Sequence, residues 1–506
     1  MRLAHRVCAW QSGRTFGRAE HQPTHGGHVG RQPAEPLLPV SKALQPRAPA
    51  RVAVADGGGN GAAQRTVGGP VDRSARHSRR SGQSPRRIPR DHSAHDCRSQ
   101  LLGAPRRCCG TLTFSKTNLR SAVEDRIRLF RPTFGDAEKK ALCDTIDSRW
   151  VGRGPQTIKF EERFSKYIGS SYAVSLNSAT AALHLGLLCS EVEGQEVLTS
   201  TMTFVSSTEA ILLAGGRPVF CDVEPDTLNI SVDDMARKIT PTTRAVIITH
   251  YGGQSCDMNS ILELAAEHGL SVIEDAAHGC GGSYQGRALG SMGTIGCFSF
   301  QATKNMTTGE GGMLVTDDES IAKRVRKLRW CGITSPTWER FKVDQVQRGW
   351  MYDVEEVGWK YEMNDLAAAL GLAQMDRLED CNQRRRELMD RYRRAFADID
   401  GIDMLASRDY AISSCYNAVV HLDNREGLFT HLDTCGIDSN VHFYPNHLFR
   451  IFRPYTTHLP VAEREWQRIL SIPLYPDLTD GEQDRVIDAV RVFAHADTDH
   501  QSAVAG

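Results

Sequence analysis

Three short segments of the sequence carry side chains that could bind a cofactor or take part in catalysis. The first, Ser178–Thr180, follows a short apolar stretch and begins a run of small and apolar residues typical of a helix. The N–H groups and the positive end of the helix dipole at such a position can bind phosphate. The alternative is an ordinary Ser or Thr N-cap, and for this segment taken alone the ordinary cap is favoured.

The second segment, VIEDAAHG, places acidic residues at the end of an apolar stretch. Glu274 and Asp275 close this stretch, and His278 follows three residues later. In a parallel sheet the carboxyl ends of the strands face the crevice in which ligands bind, so an acid there points toward a ligand. An acid at this place could equally cap a following helix, and the segment taken alone leaves both interpretations open.

The third segment, CFSFQATKNMTTGEGGMLV, joins a serine, a lysine and a glycine-rich turn. Ser299 lies in an apolar stretch, Lys304 follows it by five residues in a polar loop, and the turn contains Gly309, Gly311 and Gly312. A lone lysine is usually a solvated surface residue. A lysine buried in such a loop could instead act as a nucleophile or a base.

A phosphate cradle, an acid at a strand end and a loop lysine are together the groups that pyridoxal phosphate (PLP) requires. A lysine forms a Schiff base with this cofactor, and an acid keeps the pyridine nitrogen protonated so that the ring can accept electrons. Metal sites and a Ser-His-Asp triad are less convincing. The sequence contains no HExxH, no GxSxG and no GxGxxG motif.

An alternation of strands and helices must position these segments. From about Arg126, strands are predicted at 172–178, 196–200, 217–223, 245–251 and 270–275, and helices at 179–188, 206–214 and 258–269. Apolar strands separated by helices indicate an α/β fold with a mostly parallel sheet covered on both faces. A long helix is predicted over Asp365–Phe396, with Asn364 as its N-cap. Residues 401–494 mix strands and helices, which indicates a second, smaller domain.

Composition argues against several classes of protein. The chain of 506 residues has no uncharged apolar stretch long enough to span a bilayer, so we expect no membrane span. Its 14 cysteines include no CxxC pair, which indicates reduced thiols in a cytoplasmic compartment. Residues 111–506 hold 42 basic and 55 acidic residues, and this net charge of −13 disfavours nucleic-acid binding.

Residues 1–118 are predicted to be a disordered basic extension. Residues 1–110 hold 18 arginines, one lysine and six acidic residues, a net charge of +13, and show no periodic apolar pattern. Such a segment cannot bury enough apolar surface to offset the entropy of ordering. It could be a tail for an anionic partner or a transit peptide. Its use of arginine almost to the exclusion of lysine favours an artefactual or dispensable extension, translated from a wrongly chosen start codon.

From about Arg126 to Ala494, the sequence resembles the DegT/DnrJ/StrS family of PLP-dependent sugar aminotransferases. The resemblance is carried, in the family's order, by NSATAALHLGL, TMTFVSSTEAILLAGGRPVFCDVEPDTLNI, ITPTTRAVIITHYGG, VIEDAAHG, GCFSFQATKNMTTGEGGMLVTDD, VGWKYEMNDLAAALGLAQMDRLE and SIPLYPDLTD. It implies a fold-type I PLP-dependent transferase. The implied domains are a PLP-binding large domain over residues 126–375 and a smaller C-terminal α+β domain over residues 376–496.

The resemblance also implies roles for individual residues. Lys304 would bind PLP covalently, Asp275 would pair with the pyridine nitrogen, and His278 would lie near the phenolic oxygen. Phe204, in TMTFVSS, matches the aromatic residue that stacks on the ring. The residues implied to bind the phosphate end of the cofactor are Ser178, Ala179, Thr180 and Ser299.

Two further segments resemble the parts of the family's sequences that contact the neighbouring subunit or face the substrate. Lys360 matches a position from which family members contact the active site of the neighbouring subunit, which implies a homodimer with shared active sites. Glu362 stands where many members carry Asn or Arg. The segment Asn440–Phe449 resembles the family's substrate-facing strand.

The implied activity is transfer of an amino group from an amino acid, with L-glutamate expected, to a nucleotide-linked keto sugar in amino-sugar and polysaccharide biosynthesis. Alternatives are a non-nucleotide keto ring such as a cyclitol, a PLP-dependent sugar dehydratase and a silent partner subunit. Dehydratases of the family carry His in place of the lysine, so Lys304 argues against that activity. Intact Lys304, Asp275 and Ser299 argue against a silent subunit.

Overall fold

The computed structural model describes residues 126–334 and 352–505, in which strands and helices build one large and two small sheets. The predicted basic extension, residues 1–118, lies outside the described residues. The strands, in chain order, are β1 (Tyr172–Leu176), β2 (Glu196–Ser200), β3 (Arg217–Cys221), β4 (Thr243–Thr249), β5 (Ser271–Asp275), β6 (Ser283–Tyr284), β7 (Arg287–Ala288), β8 (Ile295–Ser299), β9 (Gly312–Thr316), β10 (Asp403–Met404), β11 (Ala411–Ile412), β12 (Ala418–His421) and β13 (Ile469–Ile472).

The large sheet has seven strands in the order β1-β9-β8-β5-β4-β2-β3. β9 runs antiparallel to both of its neighbours, and the other six strands run in one direction. β2, β8 and β9 are buried along their whole length, and each of the other four strands has at most two residues that are not buried, as expected for strands between two helical layers. The predicted α/β class with a mostly parallel sheet is confirmed.

Helices cover both faces of this sheet. The helices are α1 (Asp136–Asp147), α2 (Pro155–Ile168), α3 (Ala179–Cys189), α4 (Val205–Leu213), α5 (Val232–Lys238), α6 (Met258–His268), α7 (Glu319–Leu328), α8 (Asp365–Met375), α9 (Leu378–Phe396), α10 (Arg425–Thr434), α11 (Pro460–Glu465) and α12 (Asp480–Ala505). α3, α4 and α7 pack on one face, and α2, α5, α6 and α8 pack on the other. None of the helices in the described part of the chain has the length and apolarity to cross a membrane.

The prediction of one long helix over Asp365–Phe396 is wrong. Its N-cap is correct, since the Asn364 side chain accepts the Ala367 N–H at 2.9 Å, but the chain leaves the helical path at Arg377 (φ −120°, ψ 2°). α8 packs in the core of the large sheet, whereas α9 packs in a second core. The break lets the chain pass from one core to the other. Because it contains neither Gly nor Pro, the sequence gives no signal of it.

The second core lies around a small antiparallel sheet of order β10-β12-β13. α9, α10 and α12 pack on this sheet, and Ile127 from the start of the described chain is fully buried among them. Strands and helices are mixed here, as predicted for residues 401–494. The division into domains at residues 375 and 376 stays a prediction.

Candidate active site

A cavity of about 410 Å³ lies at the carboxyl ends of β5 and β8, beside the N-terminus of α3. Two later parts of the chain, at Tyr416 and at His442–Phe443, close it from the other side. The sequence-predicted residues that line this cavity are Ser178, Ala179, Thr180, Phe204, Asp275, His278, Ser299 and Lys304. The three segments singled out from the sequence therefore meet in one place. The roles of their residues remain predictions.

One end of the cavity is built from the start of α3. Ser178 is the N-cap of this helix, because its Oγ accepts the Ala181 N–H at 3.1 Å, so the ordinary cap interpretation is correct for its side chain. β9 lies directly against this turn: a Cβ on Gly312 would come within 2.3 Å of the Ser178 carbonyl carbon. Only glycine allows this approach. The helix N-terminus and the Ser299 hydroxyl on the same cavity wall form a site suited to a phosphate group.

Asp275 ends β5 and is 4% exposed. Its carboxylate accepts hydrogen bonds from Ser207 Oγ at 2.6 Å and from the Ala277 N–H at 3.2 Å. Burial raises the pKa of Asp275 above its ordinary value, and the hydrogen bond from Ser207 opposes this effect. A turn rather than a helix follows the strand, so the interpretation of Asp275 as a helix cap is wrong. A protonated ring nitrogen would supply the positive charge that a buried carboxylate needs.

Glu274, the neighbour of Asp275, faces away from the cavity because successive strand residues point to opposite sides of a sheet. Its carboxylate accepts the N–H groups of Gly290, Met292 and Gly293 and contacts the buried His250 ring at 2.9 Å. It therefore fixes the turn before β8. Of the two acids that the sequence places at this strand end, only Asp275 lines the cavity.

His278 forms part of a stack of rings at the cavity wall. Its imidazole lies 3.9 Å from the Tyr416 ring, centroid to centroid, with 13° between the planes. Burial, together with the positive charge of Lys304, holds the pKa of His278 well below its usual value, so the ring is neutral. Its buried Nδ1 has no hydrogen-bond partner within the described residues. A buried polar atom of this kind is suited to a ligand oxygen.

Lys304 lies in the loop between β8 and β9 and directs its amine into the cavity. Its Nζ donates a hydrogen bond of 3.3 Å to Tyr416 Oη and lies 4.3 Å from the centre of that ring. The loop itself is held by the Lys304 N–H, which donates to the Gln301 carbonyl at 2.9 Å. The amine and the Asp275 carboxylate therefore line the same cavity.

The two remaining predicted residues lie farther out. Phe204 precedes α4 and is 58% exposed, with its ring 6.2 Å from that of Phe443. Lys360 does not line the cavity: its Nζ pairs with Glu362 at 2.8 Å and lies 3.6 Å from the centre of the Trp330 ring.

Several residues that line the cavity or hold its side chains were missed by the sequence analysis. Ser207 lies one turn after Phe204 in the predicted helix, but nothing in the sequence indicated its contact with Asp275. Tyr416 carries no local signal, because its hydrogen-bond partners, Thr303 and Lys304, lie more than 100 residues away. His442 and Phe443 belong to the segment Asn440–Phe449 noted above. This segment is not a strand: it has a single bridge between Asn440 and Ser471 and a 3-10 turn at Asn446–Leu448.

His442 is held in one orientation by the small sheet. Its Nδ1 lies 2.8 Å from Ser471 Oγ, which in turn accepts a hydrogen bond from the Asn417 amide at 3.3 Å. Within the described residues, Nδ1 is the acceptor in reach of the Ser471 hydroxyl proton, and this assigns the imidazole proton to Nε2. Burial lowers the pKa of His442 to about 4, with a further contribution from the charge of Lys304.

These residues fit PLP. The cavity offers a helix N-terminus suited to a phosphate, a buried carboxylate that could pair with a ring nitrogen, an unpartnered imidazole nitrogen and an amine. Neighbouring polar side chains hold the carboxylate and the amine, so the groups that would bind the cofactor are fixed in place.

Comparison with known proteins agrees with this chemistry. A sequence model of the DegT/DnrJ/EryC1/StrS aminotransferase family matches residues 132–491. The spore coat polysaccharide biosynthesis protein SpsC of Bacillus subtilis (strain 168) is 40% identical over 372 residues, which cover 71% of this chain and 95% of SpsC.

This chain is similar to several solved structures over almost the whole length of those proteins. The sugar aminotransferase CalS13 from Micromonospora echinospora gives a TM-score of 0.67 at 29% identity, covering 72% of this chain and 99% of CalS13. Spr1654 from Streptococcus pneumoniae, solved in a PLP form and a PMP form, gives TM-scores of 0.68 and 0.69 at 30% identity, covering 73% of this chain and 99% of Spr1654.

Proposed function

The chain belongs to the DegT/DnrJ/EryC1/StrS aminotransferase family, and on that premise we propose that it transfers an amino group from L-glutamate to the keto group of a nucleotide-linked sugar. That it is a PLP-dependent sugar aminotransferase follows from membership of the family. The observation that carries the proposal is the presence of Lys304, Asp275 and the N-terminus of α3 around one cavity.

The proposal assigns a task to each of these groups. When bound, PLP supplies a ring that accepts electrons from the bonds at the amino-acid Cα. The start of α3 and Ser299 bind the phosphate, and Asp275 holds a proton at the ring nitrogen. Lys304 attaches the cofactor and, once released, moves a proton at the substrate Cα, a task worth about 10²–10⁴-fold in rate. His278, held neutral, donates or accepts a hydrogen bond at the phenolic oxygen.

The outer part of the cavity supports a sugar as the acceptor. Phe443 presents an aromatic surface there, beside Phe204, which is assigned to the cofactor ring, and His442 presents its Nε2–H. Aromatic rings pack against the C–H faces of a sugar, and a buried N–H donor orients a hydroxyl or keto oxygen. SpsC, the relative that acts in spore coat polysaccharide biosynthesis, supports a role in making a sugar-containing polymer.

The substrate can be identified with the pyridoxamine form of the enzyme. We would incubate it with UDP-, GDP- and dTDP-linked keto sugars, and with the same sugars without a nucleotide and a keto-inositol, and follow the amino product by mass spectrometry. Amination of a nucleotide-linked sugar alone is the expected result. Amination of keto-inositol alone would support the cyclitol alternative, and water loss without amination would support a dehydratase.

We also propose a cytoplasmic homodimer in which Lys360 reaches the active site of the neighbouring subunit. This is supported by the place of Lys360 outside the cavity of its own chain, with its side chain 63% exposed. Mixing the inactive variants Lys304→Ala and Lys360→Ala tests it. If sites are shared, each mixed dimer has one intact site of its two, so an equal, randomly reassorted mixture regains about one quarter of the wild-type active sites. If Lys360 serves its own chain, mixing restores nothing.

A further inference from the structure

Tyr416 lies in the middle of the catalytic groups although no motif marks it. Its side chain is 3% exposed and lies between two rings. On one side the Phe130 ring is 5.3 Å away with 20° between the planes, and on the other the His278 ring is 3.9 Å away. A phenol stacked on both faces has little freedom to move, so the position of Oη is fixed by packing.

A chain of hydrogen bonds sets the direction of the Tyr416 proton. Gln301 Oε1 accepts both the N–H and the hydroxyl of Thr303, at 2.9 and 2.8 Å. Thr303 has a single hydroxyl proton, and Gln301 uses it. In the 3.3 Å contact between Thr303 Oγ1 and Tyr416 Oη, the tyrosine must therefore be the donor.

This arrangement leaves the lone pairs of Tyr416 Oη for the amine of Lys304, which donates to it at 3.3 Å. Within the described residues, Oη is the hydrogen-bond acceptor of Nζ. Nζ also lies 4.3 Å from the centre of the same ring. Tyr416 Oη is thus oriented to accept a hydrogen bond from the Lys304 amine, while its own proton points to Thr303.

We propose that Tyr416 is a positioning residue that holds the Lys304 amine at the cavity wall whenever the lysine is not attached to the cofactor. The inference rests on the proposed role of Lys304. A transaminase lysine is released in each half-reaction and must return to the same place. A flexible four-carbon chain would otherwise sample many rotamers, and a fixed acceptor reduces that search. Thr303 and Gln301 act through Tyr416 by fixing its proton.

The rate at which the apoprotein attaches PLP measures this positioning without turnover. Apoprotein is mixed with saturating PLP, the linkage is trapped with borohydride at successive times, and the labelled peptide is identified by mass spectrometry. In Tyr416→Phe, which keeps the stacked ring, attachment to Lys304 should slow about threefold to tenfold, the effect of losing one hydrogen bond. Tyr392→Phe is the matched control, because Tyr392 is buried in the second core and donates to the Pro473 carbonyl.

Two further variants separate positioning from structure. Thr303→Val leaves Oη in place and removes the group that orients it, so a smaller slowing is expected. Combined with Tyr416→Phe it should add nothing, since both act on one hydrogen-bond chain. In a Lys304→Ala background, Tyr416→Phe should leave the dissociation constant of PLP unchanged, because Tyr416 acts through the lysine.

Wild-type attachment rates in both Tyr416→Phe and Thr303→Val would overturn the inference. The inference would also be overturned if Tyr416→Phe lowered the affinity for PLP equally in the wild-type and Lys304→Ala backgrounds. Tyr416 would then be a part of the cofactor site. Trapping of the wild-type cofactor on a lysine other than Lys304 would instead overturn the proposed function, and this inference with it.

Discussion

Ser207, in the first turn of α4, donates a hydrogen bond of 2.6 Å to the carboxylate of Asp275 at the end of β5. Two elements that are far apart in sequence thereby fix the acid that the proposed function places at the cofactor ring nitrogen. The hydrogen bond also favours the charged form of Asp275, against the burial that disfavours it. Ser207 is therefore expected to set the pH range over which Asp275 is ionised.

Replacing Ser207 by alanine should lower activity about tenfold, because a hydrogen bond to a charged group is lost. The pKa of Asp275 should rise further, so the acid limb of the pH–rate profile should move to higher pH. Asp275→Asn should lose most of its activity at every pH, since a neutral amide no longer holds the proton at the ring nitrogen. A Ser207→Ala profile with the wild-type acid limb would show that Ser207 does not act through Asp275. Ser165→Ala, a matched substitution in α2, serves as the control.

The sequence predicted the parts of the site that lie within single segments. Ser178, Asp275, Ser299 and Lys304 stand at strand ends or helix starts, whose positions follow from the alternation of apolar runs. The predicted resemblance, fold class and cofactor are confirmed by the family match and by the solved structures.

What the sequence did not reveal depends on contacts across long distances. Tyr416 and His442 come from loops beside the small sheet, and only the folded chain brings them to Lys304. The end of α8 is a further case, because the helix stops where the chain passes between two cores and no Gly or Pro marks the place. Local patterns identify elements, whereas packing decides which elements meet.

Lys304→Ala should abolish covalent attachment of the cofactor. Borohydride treatment of this variant with PLP should leave no covalently bound cofactor on the protein, and transamination should be negligible, because no other lysine of the described residues lines the cavity. Lys323→Ala, on the exposed side of α7, is the matched control and should be labelled at Lys304 like the wild type. A normal label in Lys304→Ala would refute the assignment.

The buried His442 should make the apoprotein less stable in mild acid. Its pKa is about 4 in the folded protein, against an ordinary value of 6.5, so unfolding takes up a proton between these two values. The contribution of neutral His442 to the free energy of unfolding is therefore fully present above the ordinary pKa of 6.5. It is lost as the pH falls from 6.5 toward 4. Between pH 7 and pH 5 the loss from this residue should be about 2 kcal/mol.

His442→Asn removes that titration and keeps a polar group near Ser471. Urea unfolding of the apoprotein at pH 7 and pH 5 measures the change in the free energy of unfolding. The same measurement at pH 7 and pH 8 is the control, because His442 contributes almost no difference between those two values. The variant should lose about 2 kcal/mol less than the wild type between pH 7 and pH 5. Equal losses in the two proteins would mean that His442 is not held neutral by the fold.

The last prediction concerns the N-terminal part of the chain. Deleting residues 1–120 should leave the melting temperature, PLP binding and single-turnover amination unchanged, because the sequence predicts a disordered, basic extension there. Deleting residues 1–130 should be harmful. That deletion removes Arg126, which pairs with Asp433 and Asp438, and Ile127, which is fully buried in the second core.

Loss of a buried isoleucine alone costs about 2–5 kcal/mol, and the longer deletion also removes the Phe130 ring that stacks on Tyr416. The two truncations therefore differ by only ten residues and should differ clearly in stability. The longer one should also attach PLP more slowly, since Tyr416 then has one face uncovered. If deletion of residues 1–120 yields an insoluble protein or slows amination more than about tenfold, a loss of more than one kcal/mol in the transition state, the extension belongs to the working enzyme.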